Sequence, residues 1–150
     1  MNTLVVYFSK FGNTHKIAQV ISEVFNGVGP VNIIEMNQLS SAGLQRADLV
    51  VMGSPTHKMN LPEGVGPALK SLPRRILPKM PFAAFDTSYK MSNWLAHFTA
   101  VRKLDRLLRR LGGKRHLPPE TFHVMERDGP LYKGEIERAG QWKYSILSSI

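Results

Sequence analysis

Ser9, Gly12, Asn13 and Thr14 are the residues in this chain whose types and spacing best suit the holding of an anion. The hydroxyls and the carboxamide can donate to phosphate oxygens, while glycine lets the backbone approach closely or take a positive φ. They follow Leu4-Val5-Val6-Tyr7-Phe8, an apolar β-branched and aromatic run that predicts a strand, and precede Ile17, Val20, Ile21 and Val24 at helical spacing. A helix starting near Asn13 or Thr14 has first backbone N–H groups without intrahelical partners, at the positive end of its dipole. A phosphate satisfies them there. A Walker A loop would need Gly-Lys-Ser/Thr and a dinucleotide fingerprint three spaced glycines; only Gly12 is present. The same turn can equally be a plain Ser/Asn/Thr helix cap with no ligand.

Two more loops carry polar and bulky side chains. Gly53 to Pro62 follows the unbroken apolar run Ala47–Gly53 and contains Ser54, Pro55, Thr56, His57, Lys58 and Met59. Asp86 to Asn93 follows a strand over Pro81–Asp86 and contains Thr87, Ser88, Tyr89 and Met91, with Trp94 just beyond. Both begin at the carboxyl ends of predicted strands, where open α/β sheets bind ligands. His15, His57, His97, His116 and His123 are scattered, with no acidic residue at ligand spacing, which argues against a metal site.

The elements needed to position these loops fit one domain of 150 residues. Strands are predicted near 4–8, 31–36, 47–53, 81–86 and 121–126, with helices over 13–25, 63–72, 93–111 and 134–148, the last turning Ile136, Ala139, Trp142 and Ile146 inward. The 93–111 helix is the longest, with Trp94, Phe98, Val101, Leu104, Leu107, Leu108 and Leu111 on one side and Arg102, Lys103, Arg106, Arg109 and Arg110 on the other. Its apolar side is needed to cover the sheet, which argues against membrane insertion.

The net charge is +9, and between Lys58 and Arg115 thirteen Lys/Arg stand against Glu63, Asp86 and Asp105. Such asymmetry attracts acidic partners or is simply a solvated face. No helix-turn-helix, zinc or aromatic-platform signature accompanies it, so nucleic-acid binding is not expected. The absence of cysteine excludes disulfides and thiolate catalysis and points to a reducing cytoplasm. No signal peptide or transmembrane segment is expected.

The order Phe8-Ser9-Lys10-Phe11-Gly12-Asn13-Thr14, together with the two later loops and the five-strand α/β pattern, resembles the flavodoxin family across nearly the whole chain. The resemblance implies a three-layer sandwich with a parallel sheet of order 2-1-3-4-5, uninterrupted at its fifth strand as in short-chain members. It implies FMN as cofactor, with Ser9, Lys10, Phe11, Gly12, Asn13 and Thr14 at the phosphate. Ser54, Pro55, Thr56, His57, Lys58 and Met59 would lie on one side of the ring, and Asp86, Thr87, Ser88, Tyr89 and Met91 on the other. Tyr89 or Trp94 is the expected stacking residue. Ser9 and Phe11 stand where many members have Thr, and the third loop lacks the acidic, aromatic-rich sequence of electron-transfer flavodoxins. A receiver domain shares the topology but needs an Asp where this chain has Gly53-Ser54. The expected function is electron transfer through the flavin to an acidic redox partner. The alternatives are an FMN-dependent oxidoreductase using NAD(P)H and a quinone-like acceptor, a flavin-dependent oxidase, and a non-redox adaptor that has lost FMN.

Overall fold

The computed structural model describes residues 1–96 and 98–150; His97, one of the scattered histidines, lies outside the described residues. The chain runs β1 (Thr3–Tyr7), α1 (Asn13–Phe25), β2 (Val31–Glu35), α2 (Ser41–Gln45), β3 (Leu49–Pro55), α3 (Val65–Lys70), β4 (Pro81–Tyr89), α4 (Asn93–Ala96), α5 (Ala100–Arg110), β5 (Lys114–Arg115), β6 (Glu120–Val124) and α6 (Glu135–Ser148). All strands pair in parallel, in the order β2-β1-β3-β4, with β5 and then β6 one after the other along the free edge of β4. The order 2-1-3-4-5 is therefore as expected, with the fifth position shared by two segments.

Alternation along the strands divides the core into two layers. Leu4, Val6, Val50, Met52, Phe82 and Ala84 pack with Leu69, Val101, Leu104 and Leu108 on the face covered by α3 and α5. Val5, Val51, Ala83 and Phe85 pack with Ile17, Ile21, Phe25, Trp142 and Ile146 under α1 and α6. Burial on both faces explains why β3 reads as an unbroken apolar run.

Four expectations need correction. The helix predicted over 93–111 is not continuous: Thr99 is extended (φ −72°, ψ 164°) between α4 and α5. The cause is tertiary, because the Val101 amide donates to the Asp86 carboxylate (3.0 Å) and the Ala100 amide to the Thr56 hydroxyl (3.0 Å), so α5 begins on partners from other elements. Trp94 and Phe98, placed by periodicity on the buried side, are 70% and 52% exposed. The longest helix is α6.

β4 extends to Tyr89, three residues past the expected end, because Ser54 and Pro55 of β3 pair with Asp86 and Thr87 on one edge and β6 pairs through Tyr89 on the other. The fifth strand position is interrupted by His116-Leu117-Pro118-Pro119, where two prolines cannot donate to the ladder. Ile136, expected inward on the last helix, is exposed, while Ala139, Trp142 and Ile146 are buried as expected.

Candidate cofactor site

The loop from Ser9 to Thr14 is preformed by its own hydrogen bonds. The Ser9 hydroxyl accepts from the Gly12 amide (3.0 Å), and Gly12 takes φ 94° at the start of α1. That left-handed conformation suits glycine, and the space a Cβ would enter is open. Among the described residues, no group accepts from the Asn13, Thr14 or His15 amides, and α1 has no acidic residue in its first turn. Three donors and the positive end of a thirteen-residue helix are therefore left without a protein partner.

Asn13 and Thr14 are buried and anchor the helix start to other segments. Thr14 Oγ1 lies 2.8 Å from Thr87 Oγ1 on β4, and Asn13 Nδ2 donates to the Asp128 carbonyl (3.2 Å). A Cβ on Gly129 would stand 2.7 Å from Asn13 Oδ1, so glycine there lets the loop after β6 close against α1. The sequence suggests these side chains as phosphate donors; in the structure their side-chain hydrogen bonds hold the amides in place.

These segments line one cleft at the carboxyl edge of the sheet. Ser9, Lys10, Phe11, Asn13 and Thr14 meet Pro55, Thr56 and His57 from the loop after β3, and Thr87, Ser88 and Tyr89 from the end of β4. The cleft has a volume of about 40 Å³, room for roughly three waters. Tyr89 is 47% exposed at the rim, available to stack against a flat ring. Val124 and Arg127, which sequence reasoning missed, also line the cleft. They follow from the rule used for the earlier loops, since the segment after β6 also leaves the carboxyl edge.

The other sequence candidates lie apart from the lining. Ser54 is buried and donates to the Pro55 carbonyl (2.9 Å). Lys58 and Met59 occupy the tip of a tight turn closed by reciprocal His57–Asn60 backbone bonds of 2.8 and 2.9 Å, at φ 48° and 61°. Asp86 is buried inside β4, accepting from the Thr56 hydroxyl (2.9 Å) and the Val101 amide. Burial pushes its carboxyl above the ordinary range against the opposing pull of its donors. Met91 and Trp94 lie beyond Tyr89, with the Trp94 ring edge-on to Phe98 at 5.5 Å.

The cleft's rim is positive. Lys10 Nζ and Arg127 Cζ stand 5.5 and 5.8 Å from the Phe11 ring centroid. Burial, followed by the charges of Lys10 and Arg127, lowers the His57 pKa below 6.5, leaving its imidazole neutral at pH 7. Among the described residues no group of three or more His, Asp or Glu could hold a metal ion, and no helix is long and apolar enough to cross a membrane.

A family model described as a flavodoxin domain matches residues 4–112. The fold is similar to that of oxidised flavodoxin 2 from Bacillus cereus (TM-score 0.81, 18% identity, 100% of each chain covered). It is also similar to the TIGR4 flavodoxin of Streptococcus pneumoniae (0.77, 18%, 100% of each chain) and to a flavodoxin from the domain Archaea (0.75, 18%, 99% of this chain and 97% of that one). A comparison with curated proteins gives no match.

Proposed function

Because this chain belongs to the flavodoxin family, we propose that its cleft binds FMN and that it carries electrons to or from a partner protein with an acidic surface. The observation that carries the reading is that, among the described residues, no group accepts from the Asn13, Thr14 or His15 amides at a helix start that opens on the left-handed Gly12. A phosphate fits that cradle without an arginine, since backbone donors at a helix start meet its demand. Thr56, His57 and Tyr89 then offer hydrogen bonds and a stacking face to an amphipathic ring.

When bound, FMN supplies one-electron and two-electron redox chemistry, and the protein supplies binding, orientation and field. Lys10 and Arg127 favour added negative charge in the cleft. Neutral His57 can donate from one ring nitrogen and accept at the other. A carrier and an enzyme with its own acceptor would use this cleft alike. Mixing the FMN-loaded protein with NAD(P)H and a soluble quinone separates the two. A carrier gives no sustained turnover until a reductase is added, whereas rapid NAD(P)H oxidation by the protein alone would overturn this reading in favour of an oxidoreductase.

A further inference from the structure

The positive excess in the middle of the chain is more concentrated on the surface than the sequence indicates. Two of the three acids between Lys58 and Arg115, Asp86 and Asp105, are buried, leaving Glu63 to offset the cations outside. Arg109 and Arg115 are drawn onto Asp105 at 3.1 and 3.3 Å. Lys70, Lys103, Arg106 and Arg110 have no salt-bridge partner among the described residues, and all four line one groove of about 560 Å³ between α3 and α5. Leu61 and Leu107 give this groove apolar contact surface, and Glu63 is the single acid along it.

We infer that this groove is the docking site for a carboxylate-rich segment of the partner protein. Its purpose rests on the electron-carrier reading above; the binding itself does not. Lys103, Arg106 and Arg110 fall at i, i+3 and i+7 of α5, on one face and about 10 Å from end to end at 1.5 Å per residue. Carboxylates at the same spacing on an amphipathic helix meet them in register. The groove is concave and its cations converge, which suits a single inserted segment over the two phosphate ribbons of a duplex. A membrane surface would need apolar side chains standing proud of the cations, and Leu61 and Leu107 are half-buried against the core.

One tight turn joins the groove to the cleft. Lys103 Nζ donates to Asn60 Oδ1 (2.7 Å), and Asn60 closes the turn whose first residue, His57, lines the cofactor cleft. A partner seated there touches the turn that carries a residue of the cofactor cleft.

The test is fluorescence anisotropy of a fluorescein-labelled oligoglutamate peptide titrated with the full chain, with and without FMN. We expect binding that weakens with salt and falls by about tenfold or more in K103E/R106E. K103Q/R106Q should give a smaller loss in the same direction, covering the case that charge reversal disturbs folding. R46E/R75E, which changes net charge equally but outside the groove, should move affinity less than about twofold. Equal losses in the two reversal variants would overturn the site. So would tighter binding of a short DNA duplex or anionic vesicles that K103E/R106E abolishes. If FMN fails to bind the wild type while K103E/R106E still selectively loses the peptide, the cofactor reading falls and the groove stands.

Discussion

The starts of α1 and α6 have nearly the same backbone and opposite electrostatic fates. Each opens on a left-handed glycine, Gly12 at φ 94°, ψ −8° and Gly134 at φ 92°, ψ −10°, with no side-chain cap and open space where a Cβ would stand. α6 carries Glu135 and Glu137 in its first turn, and the Glu135 carboxylate accepts from the His123 amide at 2.6 Å and pairs with Arg138 at 2.7 Å. Arg138 in turn pairs with Glu120, donates to the Thr121 carbonyl and lies over Phe122. α6 thus brings its own anion and uses it to fasten the final helix to β6. α1 brings none, and among the described residues no group accepts from its first three amides.

The largest expected effect that sharpens this contrast is on cofactor affinity. G12V places a branched side chain in the space above the α1 amides, and the FMN dissociation constant should rise about a hundredfold. G134V, suffering the same left-handed strain of about 1–2 kcal/mol, should lose stability but keep FMN affinity. Equal loss of FMN in both variants would show that strain alone governs binding.

E135Q should lower stability in urea by about 2 kcal/mol, because a charged acceptor serving the His123 amide and Arg138 is replaced by a neutral one. Burial alone would raise the Glu135 pKa, but hydrogen bonds from Arg138 and the His123 amide, with the Arg138 charge, bring it below 4.5. A depressed carboxyl pKa stabilises the fold above its unfolded value and loses that contribution as pH falls through the folded one. The gap between wild type and E135Q should therefore be full at neutral pH and shrink on acidification below 4.5. A gap independent of pH would contradict the ion pair's role.

H15E gives α1 an acid in its first turn, as α6 has. FMN affinity should fall about tenfold by competition for the amides, measured by fluorescence quenching. Unchanged affinity would show that the phosphate does not use this helix start. The smallest effect belongs elsewhere: W94S should change stability by less than about 0.5 kcal/mol, since Trp94 is 70% exposed. A Trp packed on the sheet, as a continuous 93–111 helix requires, would cost about 3–5 kcal/mol to truncate.

The first βα turn was legible because its signals are local: an apolar run, a glycine turn, and helical periodicity from Ile17 onward. The break before α5 was not, because the apolar periodicity continues through Trp94 and Phe98 while the interruption is set by Asp86 and Thr56 from distant positions. For the same reason Ser54 and Thr87, read as loop residues, prove to be buried strand residues, because pairing extends the strand ends. Arg127 lay in a segment with no hydroxyl or aromatic cue, and only the topology brings it beside Phe11. The +10 balance of the 58–115 stretch was visible in the sequence, but its concentration along one groove depends on which acids are buried.

The central claim is that the amides at the start of α1 hold the phosphate of FMN. Titrating FMN and riboflavin into the cofactor-free protein and following flavin fluorescence tests it most directly. The account predicts saturable quenching at one FMN per chain with much weaker riboflavin binding, while equal affinity for the two, or no quenching by either, would contradict it.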